Sequence, residues 1–355
     1  MHLKSLYLHN FRLYTEAFFE FCPDINMICG RNAAGKTSLI EAINFLTSGH
    51  SFRTHQLSNL IRNGASYFHL EAYFVKHGIE QRLKITHSNK ERKIVLNNTR
   101  YPSSSSLVGL LLSVVFSPND LEIIKGAPQG RRQFLDTQLA QINPLYLYHC
   151  TRYNRAMRQR NCLLKAKNLS SIYSWECEMA LSAAYLLQER LKLLKELQPM
   201  STIFYQDIAN EIDSLSLSYR SSCKSITGSA TALRDHYLEQ YEKNRVREMA
   251  MACSLIGPHK DDLAISLGDK EVRFFASEGQ MRSCAAALRL AEWKWLEQMS
   301  GEKPLMLLDD VTTSLDQIRS SKLFEQFDLL GQLFLTTTEP PLYKTNGKEQ
   351  KLIAL

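Results

Sequence analysis

Residues Gly30 to Ser38 read GRNAAGKTS: a glycine, four residues, then Gly35, Lys36 and Thr37. The apolar run Ile25 to Cys29 leads into this stretch, and Leu39, Ile40, Ile43 and Leu46 follow at helical spacing. A strand that feeds a glycine-containing turn at a helix start is a loop for holding phosphate. The glycines let backbone N–H groups turn inward, and the helix N-terminus adds partial positive charge. Lys36 can reach β- and γ-phosphate oxygens, and the Thr37 hydroxyl can ligate Mg²⁺. Gly30, Arg31, Asn32, Ala33, Ala34, Gly35, Lys36, Thr37 and Ser38 are therefore the expected ATP-binding residues.

A magnesium site needs a further hard ligand, and PLMLLDD supplies one: an apolar strand whose end presents Asp309. Thr37 and Asp309 are the expected metal ligands. Asp310, one residue on, is the expected catalytic group, placed to orient or deprotonate water; being shorter than a glutamate, it predicts slow hydrolysis. The 272 positions between Thr37 and Asp309 are far more than small phosphate-loop kinases need. Such an insertion is typical of the ATP-binding-cassette class, especially its DNA-maintenance branch. That class demands a signature before the acidic strand. FFASEGQMR supplies Ser277, Gly279 and Gln280 at a helix start, a second anion site. In this class the signature closes on the γ-phosphate held by another subunit, which predicts an ATP-dependent homodimer.

The chain between these motifs changes character twice. Its first quarter reads as strand: an early hairpin, then YFHLEAYFVKHG and EQRLKITHS turning at His77-Gly78, then RKIVLNNTRY turning at Asn97-Asn98. LVGLLLSVVF reads as a buried strand or helix end. From Arg131 to Met251 Gly228 is the only glycine, and long helical patterns dominate. The final hundred residues return to alternating strands and helices. The expected fold is α/β: a cassette head with a mixed sheet and N-terminal antiparallel strands, interrupted by a helical lobe. The expected domains are 1–125, 126–252 and 253–355, the lobe being the middle one.

The net charge of +7 favours an acidic partner such as nucleic acid. Thr151 to Asn168 holds Arg152, Arg155, Arg158, Arg160, Lys165 and Lys167 without one acid. As a helix it offers a basic stripe for DNA phosphates, with Arg152, Arg155 and Arg158 as its candidates. A solvated helix face is the alternative. Arg53 is a second candidate, for DNA, nucleotide or a facing subunit. The eight cysteines form no CxxC pair, which excludes the usual zinc patterns and suits free thiols in a reducing cytosol. No signal peptide and no membrane span is expected, so the protein is read as cytoplasmic.

Several stretches together carry a resemblance: HNFRLY, GRNAAGKTS, SFRT (Ser51 to Thr54), FSPNDLEIIKGAPQGRRQFLD (Phe116 to Asp136), GPHKDDL (Gly257 to Leu263), SEGQMR and LLDDVTTSLD. On these the chain resembles the RecF family of bacterial replication and repair proteins over most of its length. The Phe116–Asp136 and Gly257–Leu263 stretches are the specific ones, since other cassette ATPases lack them. The resemblance implies ATP-dependent dimerisation on DNA, slow DNA-stimulated ATP hydrolysis, and action at single-strand gaps. It implies RecO and RecR as partners, which help load recombinase. Four departures stand out. VFSPND has no glutamine ligand; Ser314 replaces an acid before Leu315; TTTEP lacks a histidine, leaving Thr336 to Thr338; and Lys260 stands where arginine is common. A transporter ATPase subunit, the competing reading, predicts a glutamine here and no helical lobe. A degenerate binding module predicts loss of Lys36 or Asp309. Long heptad arms, as in chromosome-cohesion ATPases, do not fit the irregular middle region.

Overall fold

The computed structural model describes residues 1–54, 56–209, 213–223, 228–311, 317–338 and 347–355, with the backbone alone at 104 and 317. In chain order the elements are β1 (His2–Phe11), β2 (Tyr14–Glu20), β3 (Ile25–Cys29), α1 (Lys36–Ser48), β4 (Tyr67–Lys76), β5 (Ile79–Ser88), β6 (Arg92–Leu96), β7 (Thr99–Tyr101) and β8 (Ser113–Phe116). Helices follow: α2 (Leu121–Lys125), α3 (Pro128–Ile142), α4 (Pro144–Ala166) and α5 (Ile172–Ala209). Then come β9 (Leu215–Arg220), α6 (Ala230–Met251), β10 (Asp262–Leu267), β11 (Lys270–Glu271) and α7 (Val272–Phe275). The chain closes with α8 (Glu278–Ser300), β12 (Leu305–Leu308), α9 (Gln317–Gln326), β13 (Leu333–Thr337) and β14 (Gln350–Ala354). Two compact units divide it: one of residues 1–120, 203–212 and 278–355, the other of residues 121–202 and 213–277.

The first unit, called the head below, holds two sheets. Six strands run antiparallel in the order β2-β1-β4-β5-β6-β7; five run parallel in the order β14-β3-β13-β12-β8. The antiparallel sheet follows from alternation: Leu6, Leu8, Phe68, Leu70, Leu83 and Ile85 are buried on one face while their neighbours meet solvent. Both expected turns are present, with His77, Gly78, Asn97 and Asn98 all at positive φ, as two-residue hairpin turns require. Of LVGLLLSVVF only Ser113–Phe116 is strand, although Leu107, Leu111 and Leu112 are buried beside it. Helix α1 is buried along nearly all its length and packs in one core with both sheets, including Ile28, Leu305, Leu307 and Phe334. Gly49 ends it in a left-handed conformation, its N–H donating to the Phe45 carbonyl. One side chain, Gln332, clamps the sheets: it accepts from Leu3 N–H at 2.6 Å and donates to the carbonyls of Leu3 (2.8 Å) and Cys22 (2.7 Å).

The second unit is mainly helical but not wholly so. β9 pairs with β10 and β10 with β11 in a small antiparallel sheet; β10 lies in the region of alternating strands and helices, but β9 falls where the sequence suggests only helices. LSLSYR is a short alternating run inside a glycine-poor region, and its partner lies beyond α6, so no local hairpin signal marks it. α5 is longer than its sequence pattern suggests and runs through Pro199. Asn143 caps α4, accepting from the N–H groups of Leu145 and Tyr146, with Pro144 in the first turn. The unit's interior carries ions. Arg160 is fully buried against Glu176 (2.9 Å) and Glu248 (2.6 Å); Arg131 pairs with Asp262 at 2.7 Å; buried Arg190 pairs with Asp136 at 2.8 Å.

Candidate nucleotide-binding site

The phosphate loop leaves β3 and turns into α1. Gly35, at φ +108°, is the residue before the helix. Tyr14 donates its hydroxyl proton to the Gly35 carbonyl at 3.2 Å, and a Cβ on Gly35 would lie 2.9 Å from the Tyr14 hydroxyl oxygen. Position 35 thus requires glycine for both its φ and its space. At Gly30 a Cβ would lie 2.8 Å from the Leu355 carbonyl oxygen. Ala33 also sits at positive φ, +66°, which turns the loop's backbone back on itself. The Lys36 ammonium donates to the carbonyls of Gly30 (2.6 Å) and Arg31 (3.1 Å), arching over the loop.

The acidic strand meets this loop directly. Thr37 and Thr336 each donate a hydroxyl proton to Asp309 Oδ1, both at 3.0 Å, and the Asp310 N–H donates to Thr336 Oγ1 at 2.8 Å. The parallel pairing of β12 with β13 places these groups side by side. Burial raises the Asp309 pKa, opposed by the hydroxyls of Thr37 and Thr336. A buried carboxylate answered chiefly by neutral hydroxyls lacks positive charge. That environment, one carboxylate and one hydroxyl beside a phosphate loop, fits Mg²⁺, which takes few protein ligands and completes its shell with phosphate and water.

A cleft of about 570 Å³ opens over the loop. Asn32, Ala33, Gly35, Lys36, Thr37 and Ser38 line it, joined by Asp310 and Thr336. Asp310 is exposed and at φ +54°. Sequence reasoning assigned no role to Arg12, Asn59 or Asn63 and left Arg53 open; all four line this cleft. Arg12 forms a fork with the buried Glu41 of α1, Nε and Nη2 each at 2.7 Å, and also donates to the Asn59 carbonyl. Ser51 donates to the same carboxylate, and Arg53 stands 3.9 Å from it. Glu41 therefore ties the β1–β2 turn to the segment after α1. The signal was on the page as HNFRLY and SFRT, but neither motif carries a chemical pattern by itself.

Ser277 is exposed and directly precedes α8. At Gly279 a Cβ would displace the Arg319 guanidinium. Gly279 and Gln280 are not among the described residues lining the cleft. In VFSPND the carboxylate of Asp120 is engaged elsewhere: it accepts from Ser117 N–H at 2.8 Å and pairs with Arg289 of α8 at 2.5 Å. Ser314 and Leu315 lie outside the described residues.

The basic stripe on α4 is narrower than its sequence suggests. Arg155 and Arg158 are exposed. Arg152 is forked onto Glu178, with both distances 2.7 Å. Arg160 is not on the stripe, because the helical turn points it into the Glu176–Glu248 cluster. No described helix is long and apolar enough to cross a membrane.

Fold and site together define a phosphate-loop ATPase head: the family model "RecF/RecN/SMC N terminal domain" matches residues 2–354. An Smc head domain from Pyrococcus furiosus shares the fold, with a TM-score of 0.55 at 16% identity over 95% of this chain and 90% of that one. Within the class the likeness is sharper. The DNA replication and repair protein RecF of Protochlamydia amoebophila is 48% identical, covering 100% of this chain and 99% of the relative. That of Chlamydia trachomatis serovar L2 is 36% identical over 97% and 94%. A solved structure of the recombination mediator protein RecF-ATPrS, of the RecFOR pathway, superposes with a TM-score of 0.91 at 28% identity, covering 100% of this chain and 96% of that one. The chain belongs to the RecF family of DNA replication and repair proteins.

Proposed function

We propose that this protein is an ATP-switched DNA-binding protein that dimerises with ATP at single-strand gaps, hydrolyses ATP slowly, and acts with RecO and RecR in loading recombinase. The observation that carries this reading is the hydrogen-bonded set Thr37–Asp309–Thr336–Asp310 facing a cleft over the phosphate loop. Loop N–H groups and Lys36 would hold the phosphates, and Arg12 and Arg53 would add charge from the opposite wall. Thr37 and Asp309 would hold Mg²⁺, which when bound neutralises charge on the phosphate oxygens. Asp310 orients water from the cleft edge. Its short side chain and the absence of a histidine on β13 leave water activation weak, which suits a switch better than a motor.

Ser277, Gly279 and Gln280 at the start of α8 are assigned to the γ-phosphate of a second subunit, so that ATP would join two chains. Release would follow hydrolysis. Relatives named for replication and repair, and for the RecFOR pathway, support DNA, RecO and RecR as partners. Anisotropy of a labelled gapped duplex tests the reading. Tight binding in ATP, weak binding in ADP and none with Lys36→Ala are expected. Binding indifferent to nucleotide would remove the switch. Ser277→Arg should keep ATP binding and lose the dimer in sedimentation; a normal dimer would count against the shared site.

A further inference from the structure

The two stretches most specific to the family, GRRQFLD and GPHKDDL, contribute nothing to the nucleotide cleft. They meet instead at a second cleft, of about 370 Å³, within the helical unit. Gln129, Arg132 and Gln133 of α3, Asn154 of α4, Arg190 of α5 and His259 border it. Two of these groups, Arg190 and His259, are already satisfied. Arg190 donates to Asp136, Tyr146, Tyr219 and the Pro258 carbonyl. His259 bridges the Tyr153 hydroxyl at 2.6 Å and the Ser254 carbonyl at 3.1 Å, so its Nε2 carries the proton.

Arg132 is different. Its Nη1 donates to the Asp261 carbonyl at 2.8 Å. Among the described residues no carboxylate is within ion-pair distance of it. Asp136 is held by Arg190, Asp262 by Arg131, and the Asp261 carboxylate by Tyr219 and the Ser222 N–H. Burial, and next the nearby Arg190, lower its pKa, against the three aspartates. A half-buried guanidinium with a donor edge to spare and no carboxylate at ion-pair distance is placed to receive an anion; Asp136, which also lines the cleft, is held by Arg190.

We propose that this cleft seats a backbone phosphate of DNA on Arg132, with the amides of Gln129, Gln133 and Asn154 as further donors. The inference rests on the DNA-binding reading above and locates its contact. A phosphodiester fits the planar fork and needs no apolar anchor pocket, which a protein side chain would. Positive charge continues outward through exposed Arg155 and Lys260, sequence neighbours of Asn154 and His259. Such contacts give affinity without sequence preference. A free nucleotide offers the same phosphate chemistry, and the test separates the two.

The test measures affinity for a labelled gapped duplex in ATP across a salt series, for the full chain and three variants. Arg132→Gln should weaken binding by about tenfold and flatten the slope of log K against log salt by about one. Gln133→Glu, an exposed rim change that leaves the Arg132–Asp261 contact in place, should act in the same direction. Gln133→Lys should tighten binding and steepen the slope. Unaltered slopes in all three, with normal DNA binding by the parent chain, would overturn the cleft assignment and leave the proposed function standing. No DNA binding by the parent chain would overturn both. If ATP binds at two sites per chain and Arg132→Gln removes one without touching DNA affinity, the cleft is a nucleotide site and the proposal fails.

Discussion

Arg12 and Arg160 each meet a buried glutamate, Glu41 and Glu176, yet the two pairs do different work. Arg12 turns one side to Glu41 and the other to the nucleotide cleft, with about a fifth of its side chain exposed. Arg160 is sealed, touching Glu176, Glu248, Ser254 and the face of Tyr241. Arg12 borders an open cleft. Arg160 and its partners fill the space between them. The same residue types in the same sequence thus line a cleft in one place and fill a core in the other, and burial distinguishes them.

The largest expected effect tests the architectural side. Arg160→Ala leaves Glu248 buried without its cation and Glu176 with Arg245 alone, at 2.7 Å, and should lower stability by about 3–5 kcal/mol in denaturant unfolding. Replacing all three residues with well-packed apolar ones should restore much of that loss. If Arg160→Ala unfolds like the parent, the cluster is not structural. Acid should act next. Burial lowers the His259 pKa to about 4, against 6.5 when unfolded. The unfolded chain therefore binds the extra proton first, and stability falls between pH 6.5 and 4, by about 3 kcal/mol at most. His259→Gln should flatten that part of the profile, and an unchanged profile would remove the histidine from the account.

The head should behave in the opposite manner. Lys36→Ala should weaken ATP by at least about a hundredfold in equilibrium binding, while unfolding free energy moves by only about 1 kcal/mol, since Lys36 touches only two loop carbonyls. A large loss of stability there would blur the contrast between the units. The smallest effect belongs to Arg152→Ala. Its fork to Glu178 is partly exposed, so removing it should change stability by about 0–1 kcal/mol. Should that change also flatten the salt slope for DNA, the pair opens to admit phosphate.

The legible parts of the chain were those written locally. The phosphate loop, the acidic strand and the hairpin turns at His77-Gly78 and Asn97-Asn98 each depend on a few adjacent residues with special φ or special chemistry. What sequence could not order was contact at a distance. Arg12 and Ser51 converge on Glu41 only because β1 and the segment after α1 meet beside it. Arg160 reads as one more cation on a basic helix, and its placement is set by Glu176 and Glu248 far along the chain. β9 was missed for a similar reason, since its partner β10 comes only after α6.

The order of the parallel sheet has a consequence for how the protein is made. β3, the strand that delivers the phosphate loop, lies between β13 and β14. Both neighbours are synthesised about 300 positions after it. At roughly 5–20 residues per second, the ribosome leaves INMIC without hydrogen-bonding partners for about 15–60 s. During that interval the nascent chain carries an apolar strand with two open edges and a phosphate loop held by its local contacts alone. ATP binding should therefore appear only after the final strands emerge, and an arrested chain lacking them should aggregate or recruit a chaperone rather than act as a partial ATPase.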